Sequence, residues 1–244
     1  MNRVGIVCAL DQEARHLGPA TQRGPLGSLA DGTLVSISGM GPEAASQGAR
    51  ALVAAGAAAL ATWGMAGGLD PALTAGDILL PDRVTGGDGS LRETVAGWRQ
   101  RLSAAISAKH AVTGGTLLTR AAVVACAAEK AALFRSTGAA AVDMESLAVA
   151  TVADQHHLPF IAVRVIVDRA DDDLPGIVTR AADQAGRLRI GRVLSGLMRA
   201  PSQLAPLVRL SRRYRAARRS MSAVGPLAAT GAYAFSDSPL RGLS

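Results

Sequence analysis

The chain is poor in aromatic residues, cysteine and lysine. Aromatic residues make up only 3% of its 244 residues, so its core must be built mainly from Ala, Val, Leu and Ile. The two cysteines, Cys8 and Cys126, lie in apolar surroundings with no second Cys or His at metal-ligand spacing, which predicts buried free thiols in a reducing compartment. The amino terminus runs directly into a strand-like segment, so we expect no signal peptide and a cytoplasmic protein.

Charged residues are missing from residues 51–69, a length close to what a bilayer core requires. Four glycines interrupt this segment, at Gly56, Gly64, Gly67 and Gly68. We therefore interpret it as a helix end, a turn, a buried strand and a Gly-rich loop over 64–69 rather than as a transmembrane helix.

Strand-like and helical patterns alternate along the chain. Apolar runs of strand length cover residues 3–10, 33–38, 58–63, 77–81, 112–119, 139–142 and 160–167. Helical patterns begin at residue 11 and cover 42–55, 95–110, 127–135, 145–156 and 190–198. The alternation predicts a mostly parallel sheet with helices on both faces, and sites in such sheets lie at the carboxyl ends of the strands.

Three acidic residues stand at the ends of predicted strands: Glu13, Glu145 and Asp168. A parallel sheet gathers such ends along one edge, where partial burial raises carboxyl pKa values toward those useful in acid–base chemistry. Each residue taken alone also fits a helix cap or a solvated turn.

The net charge of +7 is concentrated near the carboxyl terminus. Residues 180–244 contain 12 Arg and 2 Asp, a net charge of +10, which leaves −3 for residues 1–179. Apolar residues recur there at helical spacing between arginines; the apolar set is Leu207, Leu210, Tyr214, Ala217 and Met221, and the arginines are Arg209, Arg212, Arg213, Arg215 and Arg219. The pattern predicts a basic amphipathic helix, either a solvated face or a contact with a membrane or nucleic acid.

Five ordered motifs carry a resemblance to a known family: GIVCALDQEARHL, SGMGPEAA, WGMAGGLDPALTAGDILLPD, AAAVDMESLAVA and LPFIAVRVIVDRADD. Together they resemble the bacterial methylthioadenosine/S-adenosylhomocysteine nucleosidases of the purine nucleoside phosphorylase/nucleosidase superfamily, over roughly residues 3–173. The resemblance implies an enzyme with a single α/β domain, whose mixed, mostly parallel and partly barrel-like sheet is flanked by helices. It also implies a homo-oligomer, usually a dimer.

The resemblance also implies roles for particular residues. Glu13 would activate the attacking water, and Asp168 would protonate the purine ring nitrogen as the base leaves. Glu145 would bind the ribose hydroxyls, with Met144 packing on the sugar. The remaining substrate-binding candidates are Met65, Gly67, Gly68 and Arg164, of which Arg164 fits a structural ion pair equally well.

Two positions depart from the nucleosidase pattern, because Met65 replaces a typical Ser and Val167 replaces a small polar residue. The chain also has no GDPGR-like phosphate loop. The nucleophile is therefore either water or inorganic phosphate as a co-substrate. We expect no other cofactor and no metal.

A closer resemblance is to the hopanoid-associated nucleoside phosphorylases, which share DPAL, AAEKAAL, VDMES and an Arg-rich carboxyl extension. It implies removal of adenine from adenosylhopane, in which a large hydrocarbon is attached to the 5′ carbon of the sugar. Such an enzyme would act peripherally on the inner face of the membrane. Its membrane contacts would be Leu207, Arg209, Leu210, Arg212, Arg213 and Tyr214.

Two alternatives remain. The first is an ordinary methylthioadenosine-type nucleosidase with an incidental basic tail. The second is a non-catalytic nucleic-acid-binding protein, which we do not favour because only Tyr214 stands among the tail arginines for base stacking. We divide the chain into a catalytic domain over 1–185, a basic helical extension over 186–224 and a disordered tail over 225–244.

Overall fold

The computed structural model describes residues 3–22, 24–107, 110–174 and 204–227. Its strands are β1 Arg3–Cys8, β2 Ala20–Gln22, β3 Leu26–Leu29, β4 Leu34–Ile37, β5 Ala57–Gly68, β6 Ile78–Leu79, β7 Arg83–Gly86, β8 Leu91–Glu93, β9 Val112–Thr113, β10 Thr116–Thr119, β11 Ala141–Asp143 and β12 Phe160–Asp168. Its helices are α1 Asp11–Ala14, α2 Pro42–Ala54, α3 Ala96–Ser107, α4 Ala127–Thr137, α5 Ser146–Gln155 and α6 Leu204–Leu227.

The strands of the described residues form one mixed, branched sheet flanked by helices. Its main path runs β2-β3-β4-β1-β5-β11-β10-β7-β8 and does not close into a barrel, while β12 pairs with β5 and β6, and β6 with β9. The pairs of β1 with β4 and β5, and of β12 with β5, are parallel, whereas β11 runs antiparallel to β5. This confirms the single α/β domain with a mixed central sheet.

The Gly-rich segment is where the predicted secondary structure was wrong. Instead of a loop over 64–69, β5 continues as one strand through Gly68. Gly67 pairs with Val142 of β11 on one side and with Asp168 of β12 on the other. Because a strand lies on each side of this segment, its backbone N–H and C=O groups find hydrogen-bond partners within the sheet. Residues 51–69 are thus the end of α2 followed by β5.

Other predicted element boundaries differ from the observed ones by smaller amounts. The predicted strand over 112–119 is two strands, separated by Gly114 and by Gly115 with φ 112°. Strands β2, β3, β7 and β8 were not predicted. Cys8 is buried as expected, but Cys126 is exposed at the start of α4, and neither forms a disulfide.

Two apolar layers cover the sheet. On one side, α2 and α5 contribute Leu52, Val149 and Val152 to a core with Leu60 and Phe160 of the sheet. On the other side, Trp63 of β5 and Trp98 of α3 are buried in a second cluster.

Helix α6 completes the second cluster with the carboxyl-terminal part of its apolar face, which the sequence pattern also allowed to face a membrane. Ala217 and Met221 belong to that face, and together with Val224 they are fully buried against the domain. The reason is that helical spacing of apolar residues serves a protein core as well as a lipid surface. The helix also reaches Leu227, beyond the expected start of a disordered tail at 225.

Some expectations fall on parts of the chain that the structure does not describe. The boundary at 185/186, the helix over 190–198 and residues 228–244 lie outside the described residues. Within the described ranges, no helix is both long enough and apolar enough to cross a membrane.

Candidate active site

The predicted site residues converge on the carboxyl-terminal half of β5. In β12, Arg164 lies beside Gly64 and Asp168 beside Gly67. Strand β11 reaches the same place from the other side and leads directly into Met144 and Glu145. The parallel pairing of β1 with β5 brings α1, which carries Glu13, to this edge.

Glu13 is buried over Gly64 and Met65 of β5. One carboxylate oxygen accepts a hydrogen bond from the Met65 backbone N–H (3.0 Å) and the other from that of Leu10 (3.1 Å). A Cβ on residue 64 would lie 2.8 Å from Glu13 Oε1, so the close approach requires glycine there. Burial raises the pKa of Glu13, and the hydrogen bonds from Met65 and Leu10 and the charge of Arg164 oppose the rise.

Glu145 lies at the start of α5, with 9% of its surface exposed. Its Oε1 accepts a hydrogen bond from the backbone N–H of Gly41 (2.8 Å), at the start of α2. Gly41 has φ 96°, a backbone conformation that glycine adopts readily, and Pro42 follows it at the first helical position. Burial, and then the nearby charge of Asp143, raise the pKa of Glu145 to about 7.

Arg164 forms the buried ion pair that was one of its two expected roles. Its Nε and Nη2 donate to Asp143 Oδ2 (3.0 and 2.8 Å), and Nη2 also donates to Ser146 Oγ (2.9 Å). The Thr119 hydroxyl donates to the other oxygen of Asp143 (2.7 Å). The guanidinium also lies close enough to Glu13 and Glu145 to lower the pKa of each. It therefore organises the cluster as well as neutralising Asp143.

Asp168, at the end of β12, is 3% exposed and pairs with Lys130 of α4. Lys130 is fully buried, and its ammonium also donates to the backbone oxygens of Arg169 (2.8 Å) and Asp172 (3.1 Å). Burial raises the pKa of Asp168, although Lys130 and Arg213 oppose the rise. A Cβ on Gly67 would lie 3.2 Å from Asp168 Oδ1, so this oxygen rests over β5.

The other expected substrate contacts lie on β5 and directly after β11. Met144 and Met65 are half-buried, and the Met65 side chain packs on the apolar cluster around Trp63. Val167, the second departure from the nucleosidase pattern, packs on the same cluster. Gly67 is half-buried and Gly68 is buried, where a Cβ would lie 2.9 Å from the backbone oxygen of Asp168.

The predicted membrane contacts on α6 have different surroundings. Arg209 and Arg212 are exposed and Leu210 is half-buried, while the Leu207 side chain lies outside the described residues. The remaining two contact the protein itself: Arg213 pairs with Asp172, and the Tyr214 hydroxyl donates to Gln12 (2.7 Å), next to Glu13.

Sequence reasoning missed four residues that support the site: Thr119, Lys130, Asp143 and Ser146. Asp143 and Ser146 flank the predicted Met144 and Glu145, so their position was a usable signal. Lys130 is one of only two lysines in the chain, and it shares a helix face with the half-buried Leu133 and Phe134. In the part of the chain that the structure describes, no group of three His, Cys, Asp or Glu residues is arranged to hold a metal ion.

Known proteins share this fold. The chain matches the family model of the phosphorylase superfamily over residues 3–199. It is similar to the 5′-methylthioadenosine/S-adenosylhomocysteine nucleosidase of Helicobacter pylori bound to butyl-thio-DADMe-Immucillin-A, with 17% identity and a TM-score of 0.66 over 92% of this chain and 97% of that one. The nucleosidase of Neisseria meningitidis in complex with methylthio-immucillin-A gives 18% identity and a TM-score of 0.66, over 93% and 99% of the two chains. The futalosine hydrolase of Helicobacter pylori gives 17% identity and a TM-score of 0.65, over 91% and 97%.

The protein therefore belongs to the phosphorylase superfamily. This membership confirms the superfamily that the five motifs indicated and, with it, the expectation of an enzyme.

Proposed function

We propose that this protein cleaves the N-glycosidic bond of an adenine nucleoside, with water as the nucleophile. The observation that carries the proposal is the convergence of three buried carboxyl groups, Glu13, Glu145 and Asp168, on one segment of β5. Burial raises the pKa of Glu13 and of Asp168, which suits groups that must accept or donate a proton during the reaction.

The three carboxyl groups divide the chemistry among them. Water attacks C1′ of the ribose and gives a proton to Glu13, while the bond from C1′ to the base breaks and its electron pair leaves with adenine. Asp168 gives its proton to a purine ring nitrogen, so adenine departs neutral. Glu145 accepts hydrogen bonds from the ribose hydroxyls and holds the sugar in position, with Met144 against it.

The charges of the site favour water over phosphate. Glu13, Asp143 and Glu145 lie around Arg164, and both Nε and Nη2 of that guanidinium already donate to Asp143. A phosphate dianion placed here would meet more negative than positive charge. Water carries no such cost, and Glu13 is available to accept its proton.

The substrate class follows from the relatives and from the two departures. The solved nucleosidases bind analogues with alkylthio groups, and their names specify adenine nucleosides with a sulfur substituent at the 5′ position. Met65 and Val167 stand where the nucleosidase pattern has Ser and a small polar residue, and both are only half-buried where they border the core cluster. We therefore propose an adenine nucleoside with an apolar 5′ substituent, of which methylthioadenosine is the first to test.

A second candidate is the cleavage of adenosylhopane at a membrane surface. It is favoured by the exposed arginines of α6, including Arg215, Arg218 and Arg219, which with Ser222 and Ala223 line an open cavity of about 520 Å³. Each exposed arginine near an anionic lipid surface contributes about 1 kcal/mol to attachment. This surface, rather than the buried apolar face of α6, would contact the inner face of the membrane.

Adenine release tests the chemistry. The protein is incubated with methylthioadenosine, S-adenosylhomocysteine and adenosine, with and without phosphate, and adenine and sugar products are separated by chromatography. We expect adenine with a free sugar, and a loss of about 10²–10⁴-fold in rate for Asp168→Asn. Asp171→Asn is the matched control, because Asp171 lies on the same loop with 71% of its side chain exposed. A sugar 1-phosphate as product would show that phosphate, and not water, is the nucleophile. Unchanged adenine release by Asp168→Asn would overturn the mechanism.

Vesicle flotation tests the second candidate. We expect Arg215→Gln/Arg218→Gln/Arg219→Gln to lose binding to vesicles containing anionic phosphatidylglycerol. The control Arg50→Gln/Arg101→Gln/Arg135→Gln removes the same charge from exposed positions elsewhere and should still bind. A wild-type protein that stays with the soluble fraction at low salt would leave only the first candidate. Light scattering of the protein without vesicles measures its mass in solution and checks the predicted homodimer.

A further inference from the structure

Lys130 is an unusual residue for its position. Arginine supplies 24 of the 26 basic residues, yet the fully buried cation beside the candidate general acid is one of the two lysines. Its Nζ is surrounded by three acceptors that belong to Asp168, Arg169 and Asp172. Three acceptors around one nitrogen suit an ammonium, whereas arginine presents its donors in a planar fork.

The same contacts match the hydrogen-bond donors of an ammonium group. An ammonium has three N–H donors and satisfies all three acceptors, whereas a neutral amine would direct its lone pair at one of them. All three N–H donors of Lys130 are therefore engaged by acceptors, which leaves Asp168 as the group that supplies the proton to the departing base.

The geometry divides the two oxygens of Asp168. Within the described part of the chain, hydrogen bonds reach only Oδ2, which accepts from Lys130. Oδ1 rests over Gly67 of β5, the segment where Glu13 and the strand leading to Glu145 also converge. Oδ2 is thus anchored by Lys130, and Oδ1 is the oxygen closer to β5, 3.2 Å from a Cβ on Gly67 against 3.8 Å for Oδ2.

We propose that Lys130 is a positioning residue for base release: its ammonium holds Oδ1 of Asp168 toward the purine and stabilises the carboxylate that Asp168 becomes. The proposal rests on the proposed function. In this step the proton of Asp168 Oδ1 passes to the ring nitrogen, the electron pair of the breaking bond leaves with adenine, and Asp168 remains as an anion paired with Lys130.

The charges around Asp168 give the direction of the expected pH effect. Lys130 of α4 and Arg213 of α6 favour the carboxylate, while burial and Asp172 favour the acid. Removing the ammonium leaves burial less opposed, so the pKa of Asp168 rises further and it becomes a weaker acid. A relay in which Lys130 itself stores the proton predicts the opposite shift in the pH profile.

The kinetic experiment compares wild type, Lys130→Met and Lys130→Arg with methylthioadenosine as substrate. For Lys130→Met we expect kcat to fall roughly tenfold with little change in KM, and the alkaline limb of the profile to move upward by about one pH unit or more. Lys130→Arg keeps a cation but not three donors on one nitrogen, so its alkaline limb should move less than that of Lys130→Met. The control Glu129→Gln changes an exposed neighbour on α4 and should leave the profile unchanged. An alkaline limb that stays in place or moves downward in Lys130→Met overturns the proposal.

Two measurements test the proposed role of Lys130 without enzymatic turnover. Infrared titration of the Asp168 carboxyl, assigned by subtracting Asp168→Asn, should show a higher pKa in Lys130→Met than in wild type. Labelling with ¹⁵N-lysine gives only two side-chain signals, assigned with Lys109→Arg, and that of Lys130 should be an ammonium at pH 8. A neutral amine there contradicts the proposal even where Lys130→Met does not fold. A wild-type protein that releases no adenine contradicts only the proposed function.

Discussion

Gly225 of α6 lies against the backbone oxygen of His16, in the turn after α1. A Cβ on residue 225 would lie only 1.8 Å from that oxygen, far inside any real contact distance. The same helix meets this region through Ser222, whose hydroxyl is 2.9 Å from the His16 ring, and through Tyr214 on Gln12. Since α1 carries Glu13, the docking of α6 supports one of the candidate catalytic groups.

Replacing Gly225 by alanine should therefore lower both stability and activity. The methyl group would force α6 away from His16, and overpacking of this kind costs about 1–3 kcal/mol or more. Urea unfolding and adenine release measure the two effects. Gly97→Ala in α3 is the control, because its Cβ would meet only Arg101 at 3.6 Å and alanine favours a helix. Equal unfolding curves for the two variants would show that α6 accommodates the methyl group.

Gly64 should be equally intolerant, for a reason that concerns Glu13 alone. A Cβ there would lie 2.8 Å from Glu13 Oε1, so Gly64→Ala should displace the carboxylate and weaken its hydrogen bond from Met65. We expect kcat to fall by about tenfold or more, since acid–base groups contribute about 10²–10⁴-fold when well positioned. Gly87→Ala, at an exposed glycine with no atom within 4 Å, should have wild-type activity. Full turnover by Gly64→Ala would remove Glu13 from the mechanism.

How much of this site the sequence predicts depends on the kind of residue. Glu13, Glu145 and Asp168 were candidates because each lies at a strand end, and strand ends meet at one edge of the sheet, and because the five motifs resemble those of the nucleosidases at these positions. Lys130 was missed because a lysine beside Glu129 on a helix is usually solvent-exposed. Only the tertiary contact with Asp168 shows that it is buried.

In the fold, too, some features follow from the sequence and others depend on tertiary contacts. The order of the elements and the mixed sheet follow from the alternation of patterns and from the family resemblance. The Gly-rich stretch of β5 and the docking of α6 depend on partners far away in sequence, namely β11 and β12 for the first and α1 and the loop after β12 for the second. Local periodicity cannot tell which surface covers an apolar face.

The raised pKa of Glu145 predicts a pH-dependent cost in stability. Its pKa rises from 4.5 to about 7 on folding, so its contribution is fully present below about pH 4.5 and is lost as the pH rises through 7. Glutamine does not ionise, so the free energy of unfolding of Glu145→Gln should increase relative to that of wild type by about 2–3 kcal/mol between pH 5 and pH 8. Urea unfolding at the two pH values measures the difference.

The same variant should nevertheless bind the sugar less well, because an amide oxygen is a weaker acceptor than a carboxylate. Wild type should prefer a ribonucleoside over its 2′-deoxy analogue, and Glu145→Gln should lose most of that preference. Glu43→Gln, an exposed change on α2, serves as the control for both measurements. A stability difference that does not grow with pH would mean that Glu145 titrates at its ordinary value in the folded protein.

The last prediction concerns removal of α6. A chain that ends at residue 203 loses Met221 and Val224 from the core, and burial of each such side chain contributes about 1.5–3 kcal/mol. It also loses the pair of Arg213 with Asp172, whose backbone oxygen accepts from Lys130. Because a domain is stable by only about 5–15 kcal/mol, we expect this chain to unfold or to melt far below wild type and to lose cleavage of soluble and lipid-like nucleosides together. A chain that ends after Leu227 retains all the described contacts of α6 and should keep its stability and its activity. Thermal melting and adenine release compare the two. If the shorter chain melts as wild type does and still cleaves methylthioadenosine, then α6 is not needed for stability or catalysis. Membrane attachment would then be the remaining role of its basic surface.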